Sequence, residues 1–342
     1  MTDMARQEVA RLFAAYAGTP PADIAAMPGS GSYRRYFRIS GPSGSTLIGT
    51  YNEDIRENES FLYMTRHFGG LHLPVPEVYA VSDDRRCYLQ QDLGDTTLLA
   101  FLQAGGRAAD AAEAVYRRVL DMLLRFQTEG VAGFDFSYCY PRPAFDTRSM
   151  MWDLNYFKYH FLKLLRVPFD EQLLEDDFET FCAWLSQAGR ACFMYRDFQS
   201  RNVMVLPDGS LFGIDYQGGR AGPPAYDVAS LLFESKTDLS PEFRERLLGY
   251  YCGQLENLGR DAEAFMQTFY GFVRIRLMQA MGAYGFRGLY ERKPLFIQSI
   301  PPALRTLRWL GQHAELQVRL PELERVWRFL SEMDPPVPET SH

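Results

Sequence analysis

Residues 195–202 read Tyr-Arg-Asp-Phe-Gln-Ser-Arg-Asn, and residues 214–217 read Ile-Asp-Tyr-Gln. Between these two stretches, short apolar runs flank a Pro-Asp-Gly-Ser turn, which is the pattern of a β-hairpin. The chain therefore has an aspartate and an asparagine in one polar turn and a second aspartate directly after a hairpin. This arrangement predicts that the side chains of Asp197, Asn202 and Asp215 lie close together.

These three side chains have the chemistry that phosphoryl transfer requires. A carboxylate must orient or deprotonate the attacking hydroxyl, and oxygen ligands must hold the Mg²⁺ ion that bridges the nucleotide phosphates. Asp197 precedes Asn202 by five positions, as in the kinase loop H-R-D-x-x-x-x-N, and Asp215 follows the hairpin as the aspartate of D-F-G does. We therefore predict Asp197 as the catalytic residue, Asn202 and Asp215 as Mg²⁺ ligands, and ATP as the phosphoryl donor. A polar loop capped by its own side chains would explain Asp197 or Asn202 alone, but it would not require the second aspartate.

At these residues the sequence resembles the kinase-like aminoglycoside phosphotransferase family, which includes aminoglycoside and choline kinases and typically has the loop H-G-D-x-x-x-x-N. Within that family it is similar to the bacterial anomeric sugar kinases that act on N-acetylmuramate and N-acetylglucosamine in cell-wall recycling. Those enzymes share an S-x-R-R-Y-F-R-like loop, an E-D-L-G-D-like linker and an R-D-x-x-S-R-N-like core, which correspond here to residues 32–38, 91–95 and 196–202. Gln199 departs from the pattern, because the sugar kinases usually have histidine there. The resemblance implies an ATP- and Mg²⁺-dependent sugar kinase that forms a sugar 1-phosphate.

The spacing of apolar residues divides the chain into two parts. Before residue 92, a short helix is followed by a glycine-rich loop and several short strand patterns. After it, helical periodicity dominates, notably at about 109–129, 150–165 and 171–190. Together with the resemblance, these patterns predict an α+β, two-lobed protein-kinase-like fold. Its small β-rich N-terminal lobe would comprise residues 1–92, and its larger, mainly helical C-terminal lobe residues 93–342.

The nucleotide is expected to bind between the two lobes. Backbone groups of the linker at Gln91 and Leu93 would contact adenine. Backbone N–H groups of a glycine-serine loop would cover the phosphates, because small residues let the chain approach closely. That loop consists of Gly29, Ser30, Gly31 and Ser32.

The phosphates also need a cationic side chain. Kinases normally carry a lysine for this purpose on the third strand, but no lysine occurs before position 158. We therefore predict that Arg35 takes this role, because it shares its strand face with apolar side chains. Glu59 on the following helix would be its partner. The alternative is that Arg34, Arg35 and Arg38 are all solvated surface residues.

Composition excludes several classes of partner. The chain of 342 residues has 36 basic and 43 acidic residues and a net charge of −7, so it lacks the basic surface of a nucleic-acid-binding protein. Its five cysteines have wide, irregular spacing, which favours reduced thiols and a cytoplasmic location over a disulfide framework or a zinc site. No stretch of about 18 apolar residues predicts a membrane span. A small-molecule substrate, with neither nucleic acid nor membrane as partner, fits this composition.

Two other functions remain open at this stage. One is a kinase of another small hydroxyl compound, such as an amino alcohol or an aminoglycoside, whose positive charge would require an acidic cleft. The other is a nucleotide-binding pseudokinase. The missing strand lysine suggests this function, but the complete set of Asp197, Asn202 and Asp215 disfavours it.

For Asp227, which precedes an apolar helix, we predict a structural role in bracing the catalytic loop. The aromatic stretch at 150–160 is assigned to core packing rather than to a sugar site.

Overall fold

The structure is a computed structural model that describes residues 2–29, 34–42, 44–105 and 109–335. The N-terminal lobe contains α1 (Thr2–Ala17), β1 (Asp23–Ala26), β2 (Arg35–Ser40), β3 (Thr46–Tyr51), α2 (Ile55–Gly70), β4 (Val78–Val81) and β5 (Cys87–Gln91). Its strands form one antiparallel sheet in the order β1-β2-β3-β5-β4. The sheet ends at Gln91, so the boundary proposed at residue 92 lies where the chain leaves it.

Helix α1 covers one face of this sheet. Its residues Ala5, Val9 and Phe13 recur every four positions and pack against Phe37 and Ile39 of β2 in a small hydrophobic core. Because side chains alternate along a strand, the neighbouring residues of β2 point to the opposite face of the sheet. That opposite face is the one directed at the rest of the molecule.

Gly49 of β3 allows α1 to approach the sheet closely, because a Cβ atom at this position would lie only 2.2 Å from Cγ1 of Val9. We therefore expect Gly49→Ala to lower the free energy of unfolding by about 1–3 kcal/mol, the usual cost of overpacking a core. Gly249 is the matched control, because it lies in a helix and a Cβ atom there would meet nothing within 4 Å. Gly249→Ala should raise the free energy of unfolding by about 0.5–1 kcal/mol. Urea denaturation of both variants measures the difference, and equal stabilities would contradict the close packing.

The C-terminal lobe is mainly helical. Its helices are α3 (Leu98–Gln103), α4 (Ala109–Thr128), α5 (Thr147–Phe157), α6 (Glu171–Leu185), α7 (Pro224–Leu232), α8 (Pro241–Asn257), α9 (Ala262–Ala283), α10 (Pro294–Ile297), α11 (Ile300–His313) and α12 (Pro321–Glu332). Its short strands are β6 (Cys192–Met194), β7 (Val203–Val205), β8 (Leu211–Gly213) and β9 (Arg220–Gly222). Strand β6 pairs with β9, and β7 pairs with β8 as the hairpin predicted from the sequence. The predicted α+β arrangement is confirmed.

Two long helices bring distant parts of this lobe to the same place. Helix α5 packs on α9, and each of the two helices continues into a π-helical turn, Lys158–Leu162 and Tyr284–Tyr290 respectively. Gly285 lets the two turns meet, since a Cβ atom there would lie 1.7 Å from the carbonyl oxygen of His160. In the part of the chain that the structure describes, no helix is long and apolar enough to cross a membrane.

Candidate active site

A cleft with a volume of about 1040 Å³ runs between the sheet and the helical lobe. Its lining includes the three residues predicted to carry the chemistry, Asp197, Asn202 and Asp215. It also includes Gln91 and Leu93, the linker residues predicted to contact adenine. The structure therefore brings the two halves of the predicted site into one cavity.

The backbone of the catalytic loop is held by a buried carboxylate. After β6, the N–H group of Tyr195 donates to Oδ2 of Asp227 at 2.7 Å, and the N–H group of Arg196 donates to Oδ1 at 2.9 Å. Burial raises the pKa of Asp227 to about 7, while these two hydrogen bonds act in the opposite direction. The predicted bracing role of Asp227 is confirmed by these contacts.

Because two backbone donors share this carboxylate, we expect Asp227→Asn to lower the free energy of unfolding. An amide has one acceptor oxygen, so one buried N–H group loses its partner at a cost of about 1–3 kcal/mol. The pKa shift adds a pH dependence with a definite sign. Between about pH 4 and pH 7 the folded protein keeps a proton on Asp227 that the unfolded chain has lost, so this contribution to stability falls as the pH rises. The stability gap between wild type and variant should narrow over that range in urea titrations, and a constant gap would argue against a raised pKa.

An ion pair fixes the conformation of the loop just before Asp197. Arg196 has a φ of +79°, a left-handed conformation that is uncommon for arginine. Its guanidinium donates to both carboxylate oxygens of Asp153 at 2.6 and 2.7 Å and to the hydroxyl oxygen of Tyr226 at 2.7 Å. The same guanidinium lies over the ring of Phe145. This network orients the residue that precedes Asp197, and sequence reasoning missed it because Asp153 stands in no motif.

A second arginine contacts Asp197 itself. Nη2 of Arg276, on α9, lies 3.6 Å from Oδ1 of Asp197, whose side chain is 42% exposed to the cleft. Arg276 is itself buried, and its Nε donates to Oγ of Ser230 while Nη1 donates to Gln279. The carboxylate of Asp197 is therefore open to a substrate on one side and faces a fixed positive charge on the other. Nothing in the sequence distinguishes Arg276 from the other arginines.

Asn202 and Asp215 form the group that would hold a metal ion. Nδ2 of Asn202 donates to the backbone oxygen of Asp197 at 2.8 Å and to Oδ2 of Asp215 at 3.3 Å, so its Oδ1 is left as an acceptor. Asp215 has a φ of +66°, and its Oδ1 accepts from Nε2 of Gln217 at 2.9 Å. Amide and carboxylate oxygens are the ligands that Mg²⁺ prefers. Among the described residues no group of three or more His, Cys, Asp or Glu side chains surrounds one metal position, so phosphates and water would supply the remaining ligands.

The cationic residue in the nucleotide half of the cleft is Arg34. Its side chain is buried, with Nε 3.6 Å from Oε2 of Glu57, and its guanidinium lies over the ring of Phe61. Burial acts to lower the pKa of Arg34, but the neighbouring tyrosines Tyr88 and Tyr36 and the carboxylates of Glu57 and Asp215 raise it above its usual value. Arg34 therefore reaches the side of the cleft where Asp215 lies.

The geometry does not support the predicted pair of Arg35 and Glu59. Arg35 pairs with Tyr51 in the register of the sheet and does not line the cleft, and Glu59 is exposed on α2. Arg34 and Arg35 take opposite faces of the sheet as alternation predicts, but the apolar face that carries Phe37 and Ile39 does not point at the cleft. That face packs against α1, so Arg34 rather than Arg35 points into the cleft.

The structure does not place the predicted glycine-serine loop at the phosphates. Gly29 is described but is not among the cleft-lining residues, whereas Ser30, Gly31 and Ser32 lie outside the described residues.

The third arginine of this segment, Arg38, pairs with the linker. Its Nε donates to Oδ2 of Asp92 at 2.7 Å, and its Nη1 donates to Asp95. Arg38 is thus an ion-pair partner of the linker and not a solvated surface residue.

A family model described as the phosphotransferase enzyme family matches residues 23–265. The chain belongs to this family. The predicted enzyme class, an ATP-dependent phosphotransferase with an alcohol group as acceptor, is thereby confirmed.

Two curated relatives share the name N-acetylmuramate/N-acetylglucosamine kinase. The protein from Pseudomonas aeruginosa is 27% identical over 216 residues, a match that spans 62% of this chain and 60% of that protein. The protein from Neisseria meningitidis serogroup B is 28% identical over 308 residues, which is 86% of this chain and 87% of that protein. Both relatives belong to the group that the sequence motifs indicated.

Solved structures show the same fold at low sequence identity. An ethanolamine kinase from Plasmodium vivax has a TM-score of 0.61 and 12% identity, covering 83% of this chain and 81% of its own. An aminoglycoside phosphotransferase in a ternary complex with ADP and hygromycin B has a TM-score of 0.56 and 14% identity, covering 90% of this chain and 99% of its own. The predicted kinase-like fold is confirmed by these similarities.

Proposed function

We propose that this protein is an ATP- and Mg²⁺-dependent sugar kinase. Its acceptor would be the anomeric hydroxyl of an amino sugar such as N-acetylmuramate or N-acetylglucosamine, and its product a sugar 1-phosphate. The observation that carries the proposal is the meeting of Asp197, Asn202 and Asp215 in one cleft. The names of the curated relatives support the choice of sugar. A cytoplasmic role in cell-wall recycling belongs to the same proposal, and the five free cysteines are compatible with it.

ATP would lie with its adenine at the linker and its phosphates near Arg34. Glu57 holds the Arg34 guanidinium in place, and a guanidinium can contact two phosphate oxygens at once. Asn202 and Asp215 would hold Mg²⁺, which supplies charge neutralisation at the phosphates when bound. The relative crystallised with ADP supports a nucleotide in this cleft.

Asp197 would act on the acceptor. Its carboxylate accepts a hydrogen bond from the anomeric hydroxyl and aligns the hydroxyl oxygen with the γ-phosphorus. The oxygen–phosphorus bond forms while the bond between the γ-phosphorus and the bridging oxygen of ADP breaks, and the hydroxyl proton passes to Asp197. The guanidinium of Arg276 holds the other side of this carboxylate in place. The Asp197 side chain is therefore already oriented before the acceptor binds, and the reaction does not have to restrict its motion.

The charge of the acceptor end disfavours a cationic substrate. Helices α5 and α9 and the segments after α9 line it with Tyr156, Gln279, Ala283, Arg287 and Phe296. These five helical-lobe residues include no carboxylate, whereas the cleft acids Glu53, Asp54 and Glu57 belong to the N-terminal lobe. An amino alcohol or an aminoglycoside would need acidic partners here, whereas a sugar ring can pack on Phe296 and on Tyr156. Tyr156 lines the cleft, although the aromatic stretch to which it belongs predicts core packing.

The test is a substrate panel. The protein is incubated with MgATP and either N-acetylmuramate, N-acetylglucosamine, choline or an aminoglycoside, and products are identified by mass and by phosphorus–proton coupling. We expect phosphate on the anomeric oxygen of one or both amino sugars. Phosphorylation of only the cationic compounds, or of none of the four with ATP bound, would reject the proposal.

A further inference from the structure

Two cations beside the catalytic loop form no ion pair with any residue that the structure describes. Arg201 stands in the 3₁₀ turn Ser200–Asn202, and its side chain lines the cleft. Its Nε atom is buried, and no hydrogen bond or ion pair joins the Arg201 side chain to any residue within 2–29, 34–42, 44–105 or 109–335. Within the same ranges, the half-buried ammonium of Lys236 also makes no ion pair. Buried charges are normally paired, so this arrangement suggests an anionic ligand.

The nearby carboxylate does not neutralise the pair. Oε2 of Glu234 accepts from the backbone N–H group of Ser200 at 2.8 Å, and burial raises the pKa of this carboxyl group. Burial also lowers the pKa of Lys236, and the charge of Arg201 lowers it further. One carboxylate thus faces two cations that repel each other, and the cluster has an excess of positive charge.

The position of Arg201 identifies which substrate it would meet. The charged groups that interact with it, Glu234 and Lys236, follow α7 in the helical lobe. Tyr284, at the start of the π-helical turn after α9, is affected by the charge of Arg201 as well. These residues belong to the helical lobe, as do the cleft-lining residues Tyr156 and Arg287, whereas Arg34 lines the cleft from the N-terminal lobe. The other acceptor-side arginine, Arg287, is engaged by Glu291 at 3.0 Å.

We propose that Arg201 binds a carboxylate on the acceptor sugar and thereby selects an acid-bearing amino sugar over its neutral counterpart. The guanidinium would donate two hydrogen bonds to the carboxylate, and Lys236 would add to the positive potential. The inference rests on the proposed function, because it concerns the acceptor of that same reaction. Of the two sugars in the relatives' name, N-acetylmuramate carries a carboxylate and N-acetylglucosamine does not. A contact between Arg201 and the γ-phosphate is the competing assignment, and it would affect both sugars equally.

The experiment compares Arg201→Gln and Arg201→Lys with wild type on N-acetylmuramate, on its neutral carboxamide and on N-acetylglucosamine. Loss of a charged hydrogen bond should raise KM for N-acetylmuramate about 10–100-fold in Arg201→Gln. The KM values of the two neutral sugars should stay within about twofold, and Arg201→Lys should recover part of the loss because it keeps the charge. Arg305→Gln is the matched control, since this exposed arginine pairs with Asp238 outside the cleft.

Each outcome decides between the assignments. Equal losses with charged and neutral sugars, or a fall in kcat alone, would overturn the carboxylate contact and favour a role at the γ-phosphate. If wild type phosphorylates no sugar, the proposed function fails, and calorimetry then tests the anion site separately by measuring N-acetylmuramate binding to wild type and Arg201→Gln. Equal or absent binding would overturn the inference as well. Thermal unfolding of each variant shows whether it is folded.

Discussion

Replacing Asp197 with asparagine is expected to lower kcat by about 10²–10⁴-fold, the usual contribution of a general base. Asparagine keeps the shape of the side chain but cannot accept the proton of the sugar hydroxyl, and it no longer attracts Arg276. The affinity for MgADP should change little, because Asn202 and Asp215, not the Asp197 side chain, would hold the metal and the phosphates. Turnover is measured with a coupled ADP assay, and MgADP affinity by calorimetry.

The control for this substitution is Asp208→Asn. Asp208 lies in the hairpin turn between the two catalytic aspartates, where its carboxylate accepts from Oγ and the backbone N–H group of Ser210. It does not line the cleft, so its replacement should leave kcat within about twofold of wild type. Near-normal turnover of Asp197→Asn would reject the catalytic assignment. If Asp197→Asn instead loses MgADP affinity by as large a factor as it loses kcat, Asp197 contacts the nucleotide rather than the acceptor.

The residues that could be predicted from the sequence are those whose positions are set locally. Asp197 and Asn202 lie in one turn, and Asp215 follows a hairpin whose Asp-Gly turn fixes the register. Their spacing along the chain therefore determines their spacing in space. Asp227 is an exception, because it lies 32 and 31 residues along the chain from the two N–H groups that it binds, and its bracing role is predicted from its place before an apolar helix.

The residues that were missed reach the site through long-range packing. Asp153 comes from α5 and Arg276 from α9, and their positions depend on how these two helices pack together. No local pattern marks either residue, because an aspartate or arginine on a helix is usually solvated. Their burial marks them in the structure, because both side chains are less than a tenth exposed. A buried charge without a partner is costly, so each of the two residues needs an oppositely charged group nearby.

The difference between the position expected for Arg35 and the position observed has another physical origin. Alternation correctly separated Arg34 from Arg35, but the sequence did not show which sheet face α1 covers. The helical spacing of Ala5, Val9 and Phe13 indicates an apolar stripe, and such a stripe needs an apolar sheet face as its partner. Applying that requirement to β2 would have placed the apolar face against α1 and Arg34 towards the cleft.

The structure therefore changes the expected result for the phosphate-binding arginine. Arg34→Gln should lower kcat/KM for ATP by about 10–100-fold, because it removes charged hydrogen bonds to the phosphates. Arg34→Lys should recover only part of this, since an ammonium cannot reproduce the two-pronged contact of a guanidinium. Arg35→Gln, one position further along the chain and directed away from the cleft, is the matched control and should stay within about twofold of wild type.

A third variant separates a phosphate contact from loss of folding. Arg34 is buried, so its replacement leaves Glu57 without its ion-pair partner and could destabilise the lobe. Glu57→Gln keeps the arginine but removes the carboxylate that orients it, so it should lower kcat/KM for ATP less than Arg34→Gln does. Thermal unfolding with and without MgADP completes the test, because a ligand stabilises only the state that binds it. If Arg34→Gln is stabilised by MgADP as strongly as wild type is, Arg34 does not contact the phosphates, and the positive charge they require must come from the metal alone.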